Sequence, residues 1–193
     1  TTQIEAADTA NARLLRVIAA TKSNSVANVT STVTTGNVGG CPAMSSTTIT
    51  MSVAGAYATG DYMGTTTTPQ TFTNVCRTSG GSGVITGLLL SDKITTTNVD
   101  MELWLFNTTF TAPTDNAAWA ITDDENTTFI GVMSLSPANW KATSNNQVYY
   151  NDSFSIPFDL ITGTSIYYAL VARGTTPAFT SLDLKMSLLI LQD

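Results

Sequence analysis

The amino-acid sequence predicts an all-β protein, a jelly-roll-like β-sandwich with one or two short helical insertions and an N-terminal helix or arm. Threonine makes up about a fifth of the 193 residues, and its β-branched side chain suits the pleated surface of a strand. Short runs of alternating apolar and polar residues recur along the chain, separated by turn signals. Many short strands with turns at intervals are typical of sandwiches and jelly rolls.

The first 40 residues differ from the rest of the chain. Residues 1–20 are rich in alanine and lack glycine and proline, and Thr2 and Glu5 have the spacing of a helix capping box. Residues 23–40 have the composition of a linker. The sequence therefore predicts an N-terminal helix or arm with its linker in residues 1–40 and a β-sandwich domain in residues 41–193. The helix could dock on its own domain or on a neighbouring subunit, and both options stay open.

The predicted strands follow one another from residue 49 onward. They are expected at Ile49–Val53, Val84–Leu90, Val99–Phe106, Phe129–Leu135, on both sides of a tight turn at Gly163, and in a closing run that ends at Leu191.

The second face of the strand at residues 99–106 carries acidic residues at one end and Trp104 and Phe106 at the other. We expect that face to be covered only at its aromatic end. Two short helical patterns, Asp115–Ile121 and Thr122–Glu125, interrupt the sheet, and the second has capping-box spacing.

Composition excludes several classes of function. The net charge of −6 and the pI near 4.3 leave no basic stripe for a phosphate backbone. No apolar run approaches the length needed to cross a bilayer. The absence of histidine removes most catalytic triads and imidazole metal sites. We therefore expect no enzyme activity, no catalytic or metal-binding residues, no cofactor, and neither a nucleic-acid nor a membrane partner.

Two groups of residues could still take part in catalysis, metal binding or disulfide formation. Asp123, Asp124 and Glu125 could serve a carboxylate enzyme or a calcium site, but acidic residues at a helix start are favoured for electrostatic reasons, and we prefer that interpretation. Cys41 and Cys76 could form a disulfide, although two buried free thiols are the preferred interpretation.

Aromatic residues in the second half of the chain could build a sugar-stacking platform, with core packing as the favoured alternative. The residues concerned are Trp104, Trp119, Trp140, Tyr149, Tyr150, Tyr167 and Tyr168.

A family resemblance extends over about residues 75–193. It is carried by Gly83-Val-Ile-Thr-Gly-Leu with the strand Met101–Phe106, by Thr114-Asp-Asn-Ala-Ala-Trp through Phe129-Ile-Gly-Val, and by Ile156-Pro-Phe-Asp-Leu-Ile-Thr-Gly-Thr through Leu191-Gln-Asp. In order and spacing these segments resemble the β-sandwich virion proteins of tailed bacteriophages, which are usually assigned to the head exterior as decoration or cement proteins.

The resemblance implies a bacteriophage structural protein that binds the assembled head lattice and stabilises it. Its partners would be the major capsid protein and copies of itself, as a homodimer or homotrimer. It would lie on the capsid exterior after synthesis in the bacterial cytoplasm. The interface candidates lie on the arm, at Ile4, Leu14, Leu15 and Ile18. A host-recognition module that binds glycans, mounted on the tail or capsid, is the alternative.

Overall fold

The computed structural model of the chain describes residues 41–50, 55–93, 100–176, 179 and 184–193. The predicted N-terminal helix and linker lie outside the described residues, and so do the interface candidates Ile4, Leu14, Leu15 and Ile18. The predicted domain boundary at residue 40 stays a prediction.

Short strands dominate the described residues. They are β1 (Cys41–Thr48), β2 (Tyr62–Met63), β3 (Gln70–Phe72), β4 (Ser82–Asp92), β5 (Met101–Phe106), β6 (Phe129–Leu135), β7 (Trp140–Ala142), β8 (Gln147–Asn151), β9 (Ile156–Asp159), β10 (Ile166–Ala172) and β11 (Leu184–Gln192). One α-helical turn, α1 (Asp123–Asn126), precedes β6, and a 3-10 turn at Pro137–Asn139 follows it.

The strands form two sheets. Sheet I has the order β1-β11-β4-β8-β7, and β9 pairs with the first half of β4. Sheet II has the order β2-β10-β5-β6, and β3 also pairs with β10. The chain passes repeatedly from one sheet to the other, as in a jelly roll. The predicted all-β sandwich is therefore confirmed.

The core lies between the sheets and is built from alternate residues of their central strands. In β4, Ile85, Leu88 and Leu90 are fully buried, and Leu103 and Leu105 of β5 belong to the same cluster. Ile85 and Leu88 can both face inward because the pairing of β4 with β11 shifts register between these two positions. Burial of each such leucine or isoleucine contributes roughly 1.5–3 kcal/mol.

Most predicted strands coincide with observed ones, but the first does not. The runs predicted at Val84–Leu90 and Phe129–Leu135 are confirmed by β4 and β6, and Gly163 occupies a turn with a φ of 73°. The strand predicted at Ile49–Val53 is not observed at its first two residues, because β1 ends at Thr48, and its other three residues lie outside the described residues. The backbone N–H and carbonyl of Thr50 bond instead to the Gln70 side chain, both at 2.8 Å, and residues 51–54 are not described.

Among the described residues, one α-helical insertion is observed where the sequence predicted one or two, and the first of the two candidate patterns is not helical. Asp115–Ile121 is not helical: Asn116 has a φ of 63°, its N–H donates to the Tyr62 carbonyl at 3.0 Å, and the Trp119 N–H donates to the Gly60 carbonyl at 2.8 Å. A helix over these residues would direct the Trp119 N–H to the Asp115 carbonyl, so the bond to Gly60 replaces a helical hydrogen bond. The second insertion is confirmed as α1, whose Thr122 N-cap and Glu125 form a complete capping box.

Candidate interaction surfaces

The outer side of sheet II is covered by the chain that follows β5. We call residues 107–122 the covering segment. Phe106 points to this side and is fully buried; its ring lies 4.6 Å from that of Phe110, and the rings of Trp104 and Trp119 lie 5.9 Å apart. Glu102, at the other end of β5, is only partly buried. The prediction is confirmed for the aromatic end of this face. The acidic end is not fully solvated, because the Glu102 side chain is 25% exposed and pairs with Arg173 at 2.6 Å.

Buried Asp115 anchors the covering segment. Its carboxylate accepts hydrogen bonds from the Tyr57 hydroxyl at 3.0 Å and from the Gly64 N–H at 3.0 Å. A carboxylate that is 3% exposed requires such donors, because an unpartnered buried charge is costly. Burial, followed by the negative charge of Asp115, raises the pKa of Tyr57 far above its usual range. The network therefore joins the covering segment to the chain on either side of β2.

The absence of a side chain at Gly64 lets the Tyr62 ring pack closely against the backbone of residue 64. A Cβ at this position would lie 2.4 Å from the Tyr62 hydroxyl and 2.6 Å from its ring carbon Cζ. Tyr62 is buried and its ring stacks on Trp119 at 5.9 Å, so it has no free space into which to move. Burial raises the pKa of Tyr62 well above its usual range.

Glu125 binds the covering segment near both of its ends. Its carboxylate accepts from the backbone N–H of Thr111 at 2.6 Å and from that of Thr122 at 2.8 Å, and these bonds lower its pKa. Asp123 and Asp124 are exposed in the first turn of α1. The predicted helix-start role of the three acidic residues is confirmed. In the part of the chain that the structure describes, no group of three or more Asp, Glu, Cys or His side chains could hold a metal ion.

Cys76 is a buried free thiol. Its sulfur donates to the Thr78 carbonyl at 3.1 Å, and burial raises its pKa. The preference for a free thiol over a disulfide is confirmed for Cys76. The side chain of Cys41 lies outside the described residues.

The aromatic residues are divided between three places. Trp140 and Tyr149 pack together at 5.7 Å on the inner side of sheet I, and Tyr168 packs on Phe72 in the core. Tyr150 is exposed on the outer side of sheet I. The predicted platform therefore does not assemble as a unit, and core packing explains most of its members.

A smaller group at the outer side of sheet II remains partly exposed. We call Trp104, Trp119 and Phe129 the aromatic patch. The rings of Trp104 and Phe129 lie 5.3 Å apart, and Phe129 is 38% exposed. The sequence did not single out Phe129, because only the pairing of β5 with β6 brings it beside Trp104.

The outer side of sheet I has an unusual composition, and we call it the open face. Met44 is 61% exposed, Tyr150 48% and Leu191 39%. Val84, Leu89, Val148 and Leu189 are partly exposed and alternate with the core residues of their strands. Outward-facing positions of a sandwich are ordinarily polar. An outer face with these exposed apolar side chains is a candidate interaction surface.

Comparison with known proteins adds little. No protein family and no curated protein matches the chain. Among solved structures, a chain described as "Structure of a marine algae virus of the order Picornavirales" aligns with a TM-score of 0.18 and 7% identity over 77% of this chain and 66% of that one, just under two thirds of its length. A likeness this weak carries no argument, so the resemblance to tailed-phage virion proteins stays a prediction. No helix in the described ranges is long and apolar enough to cross a membrane.

Proposed function

We propose that the chain is a structural protein of a tailed-bacteriophage virion, a decoration or cement protein that binds the assembled head lattice and stabilises it. The observation that carries the proposal is the open face, because exposed apolar residues on an outer sheet surface favour contact with another protein subunit, which on a decorated lattice includes a further copy of this chain. A protein that binds the assembled lattice but not its free subunits stabilises the shell by mass action. Such a role requires no catalytic group.

The segments that carry the family resemblance coincide with the framework of the fold. The first supplies β4 and β5, the second spans much of the covering segment and β6, and the third spans β9, β10 and β11. These strands include the centres of both sheets. The resemblance therefore follows the structural core of the sandwich, which supports the proposal that its role is shared with those virion proteins.

The proposed partners are the major capsid protein and further copies of this chain on the capsid exterior. The arm, with Ile4, Leu14, Leu15 and Ile18, is proposed to contribute lattice contacts, since an extended segment can bridge neighbours that a compact domain does not reach. Several weak contacts at one lattice axis would combine into a strong attachment.

The test is to mix the purified full chain with expanded, empty heads that lack it. Electron microscopy should show added density at regular lattice positions, and the decorated heads should disassemble at a higher temperature. Deletion of residues 1–24 should weaken binding, as should serine at the four apolar arm positions. Serine at the polar positions Thr9 and Asn11 is the matched control. Heads that neither bind the chain nor gain stability would contradict the proposal.

A glycan-binding module is the second candidate, and the aromatic patch is the observation that favours it. Partly exposed Trp and Phe rings offer stacking surfaces for sugars. If this function is correct, Trp119→Leu should abolish binding to host cell-wall polysaccharide without unfolding the protein. Tyr150→Leu, which removes an exposed aromatic ring on the other sheet, should leave that binding unchanged. Absence of glycan binding by the unmodified chain would remove this candidate.

A further inference from the structure

One end of the open face is basic. In the register of sheet I, Lys185 lies opposite Ser91, Ser91 opposite Val148, and Val148 opposite Lys141. With neighbouring strands about 4.8 Å apart, this row spans roughly 14 Å. Lys93 follows directly after β4 at the same end. Three of the four lysines in the chain are thus gathered here, and all three are exposed.

The other part of the face carries acidic residues. Asp159 lies opposite Ser82, the first residue of β4, whereas Ser91 and the lysine row lie near its last residue. Asp152, between the two ends, accepts a hydrogen bond from the Tyr150 hydroxyl at 3.2 Å. The ion pair found among the described residues joins Arg173 to Glu102 on sheet II, and it involves none of these side chains.

Large apolar residues predominate in the area between the two charged ends, and Thr86 and Ser187 are polar residues among them. Leu89 lies opposite both Ser187 and Tyr150, and Leu191 lies opposite Val84. Leu189 occupies the position between these two rows on β11. The open face therefore has an apolar centre, a lysine end and an aspartate end.

We propose that the open face binds the open face of a second copy of this chain, with the strands of the two copies antiparallel. The two-fold axis would lie in the interface and perpendicular to the strands. This rotation places the lysine end of each copy over the aspartate end of the other, while the apolar centres meet. Such an interface is isologous, with the same patch used twice.

The positions of the charges select this arrangement over its alternatives. Since β9 and the pair β8-β7 lie on the same side of β4, the rotation brings Lys141 of one copy to within about one strand spacing, roughly 4.8 Å, of the position over Asp159 of the other. A two-fold axis parallel to the strands would instead place lysines over lysines, which is electrostatically unfavourable. A uniformly charged partner would be repelled by one end of the face.

This inference deepens the proposed function, because it names the surface through which copies of the decoration protein pair. The proposed function and this inference are tested by different measurements. Pairing is measured on the purified chain without heads, and lattice binding is measured with heads. A chain that dimerises but does not bind heads would contradict only the proposed function. A monomeric chain that binds heads at regular positions would contradict only this inference.

The experiment is sedimentation velocity on the full chain over a wide concentration range, with charge-reversal variants. The unmodified chain should form dimers. Lys141→Glu and Asp159→Lys should each weaken dimerisation by about tenfold, because each places like charges opposite one another. The double variant, Lys141→Glu with Asp159→Lys, should restore most of the affinity. Asp124→Lys, on exposed α1, is the charge control and should change nothing.

A second variant tests the apolar centre. Leu191→Asp should weaken dimerisation by at least about tenfold while the circular dichroism spectrum stays that of the folded chain. A chain that is monomeric at all concentrations would overturn the proposal. So would a dimer that is insensitive to Leu191→Asp, or one that Lys141→Glu strengthens, since the latter would indicate an axis parallel to the strands.

Discussion

The outer faces of the two sheets both carry large apolar residues, but among the described residues only the outer face of sheet II is covered by a connecting segment. On sheet II, the covering segment buries Phe106 and half-buries Trp104, and Asp115 and Glu125 fasten it in place. On sheet I, apolar side chains such as Leu191 remain partly exposed. Outward apolar residues of a strand are therefore buried or left partly exposed according to whether a connecting segment packs over them.

High pH should have the largest effect, because it unfolds the chain. Burial raises the pKa of Tyr57, Tyr62 and Tyr168 well above the usual range, so the folded state keeps them neutral. In the unfolded chain they ionise near pH ~10. Their contribution to stability is therefore complete below about pH 10 and is lost as the pH rises toward their folded pKa values. Tyrosinate absorbance and circular dichroism should report this unfolding together.

Tyr150, on the open face, should titrate differently from the three buried tyrosines. Its pKa is raised by the hydrogen bond to Asp152, but it is exposed and can ionise without unfolding. We expect an early, reversible titration phase that Tyr150→Phe reduces, followed by a steep phase with loss of structure. Titration of all the tyrosines in one phase with the fold intact would contradict the burial of the three.

Removal of the Phe106 side chain should cost more than any single truncation on the open face. Phe106→Ala leaves a cavity beneath the covering segment and should lower the free energy of unfolding by about 3–5 kcal/mol. Leu191→Ala, the matched truncation on the open face, should cost less than about 1 kcal/mol. Urea unfolding of the monomeric chain measures both, and equal losses would mean that the two faces do not differ as described.

Gly64 tests the anchor of the covered face. Gly64→Ala places a methyl group against the buried Tyr62 ring and should lower the free energy of unfolding by roughly 1–3 kcal/mol. Gly55→Ala is the control, since nothing lies within 4 Å of a Cβ at that position. It should be neutral or slightly stabilising. Thermal unfolding distinguishes the two variants, and equal melting temperatures would argue against the close approach at Gly64.

The smallest expected effect on the covered face is loss of the helix cap. Thr122→Ala removes the side-chain acceptor for the Glu125 N–H and should cost about 1 kcal/mol, measured by urea unfolding. Thr122→Ser keeps the hydroxyl and should restore most of that stability. Identical stability in Thr122→Ala and the unmodified chain would show that the cap does not help to hold the covering segment.

Local patterns predicted a large part of the fold. The alternation in β5, the run that became β6 and the capping box at Thr122 depend on residues only a few positions apart, and each was recognised. The helix expected at Asp115–Ile121 failed because the covering segment pairs with the chain near β2, more than 50 residues earlier. The sequence placed Asp115 only at the start of this helical pattern, and its role as an anchor depends on Tyr57 and Gly64.

Local sequence patterns were enough to predict most of the longer strands, the turn at Gly163, the low charge and the lack of imidazole chemistry, because composition and short-range periodicity decide these properties. The short strands β2, β3 and β7 carry too few residues for such a pattern. Only the tertiary structure decided which apolar face is covered, which aromatic rings meet, and that Lys141 and Lys185 share one end of a sheet. Those features depend on strand order and register, which join residues far apart in the chain. The alternation of residues along a strand shows which face of the sheet each side chain occupies. What packs against that face depends on segments that are distant in the sequence.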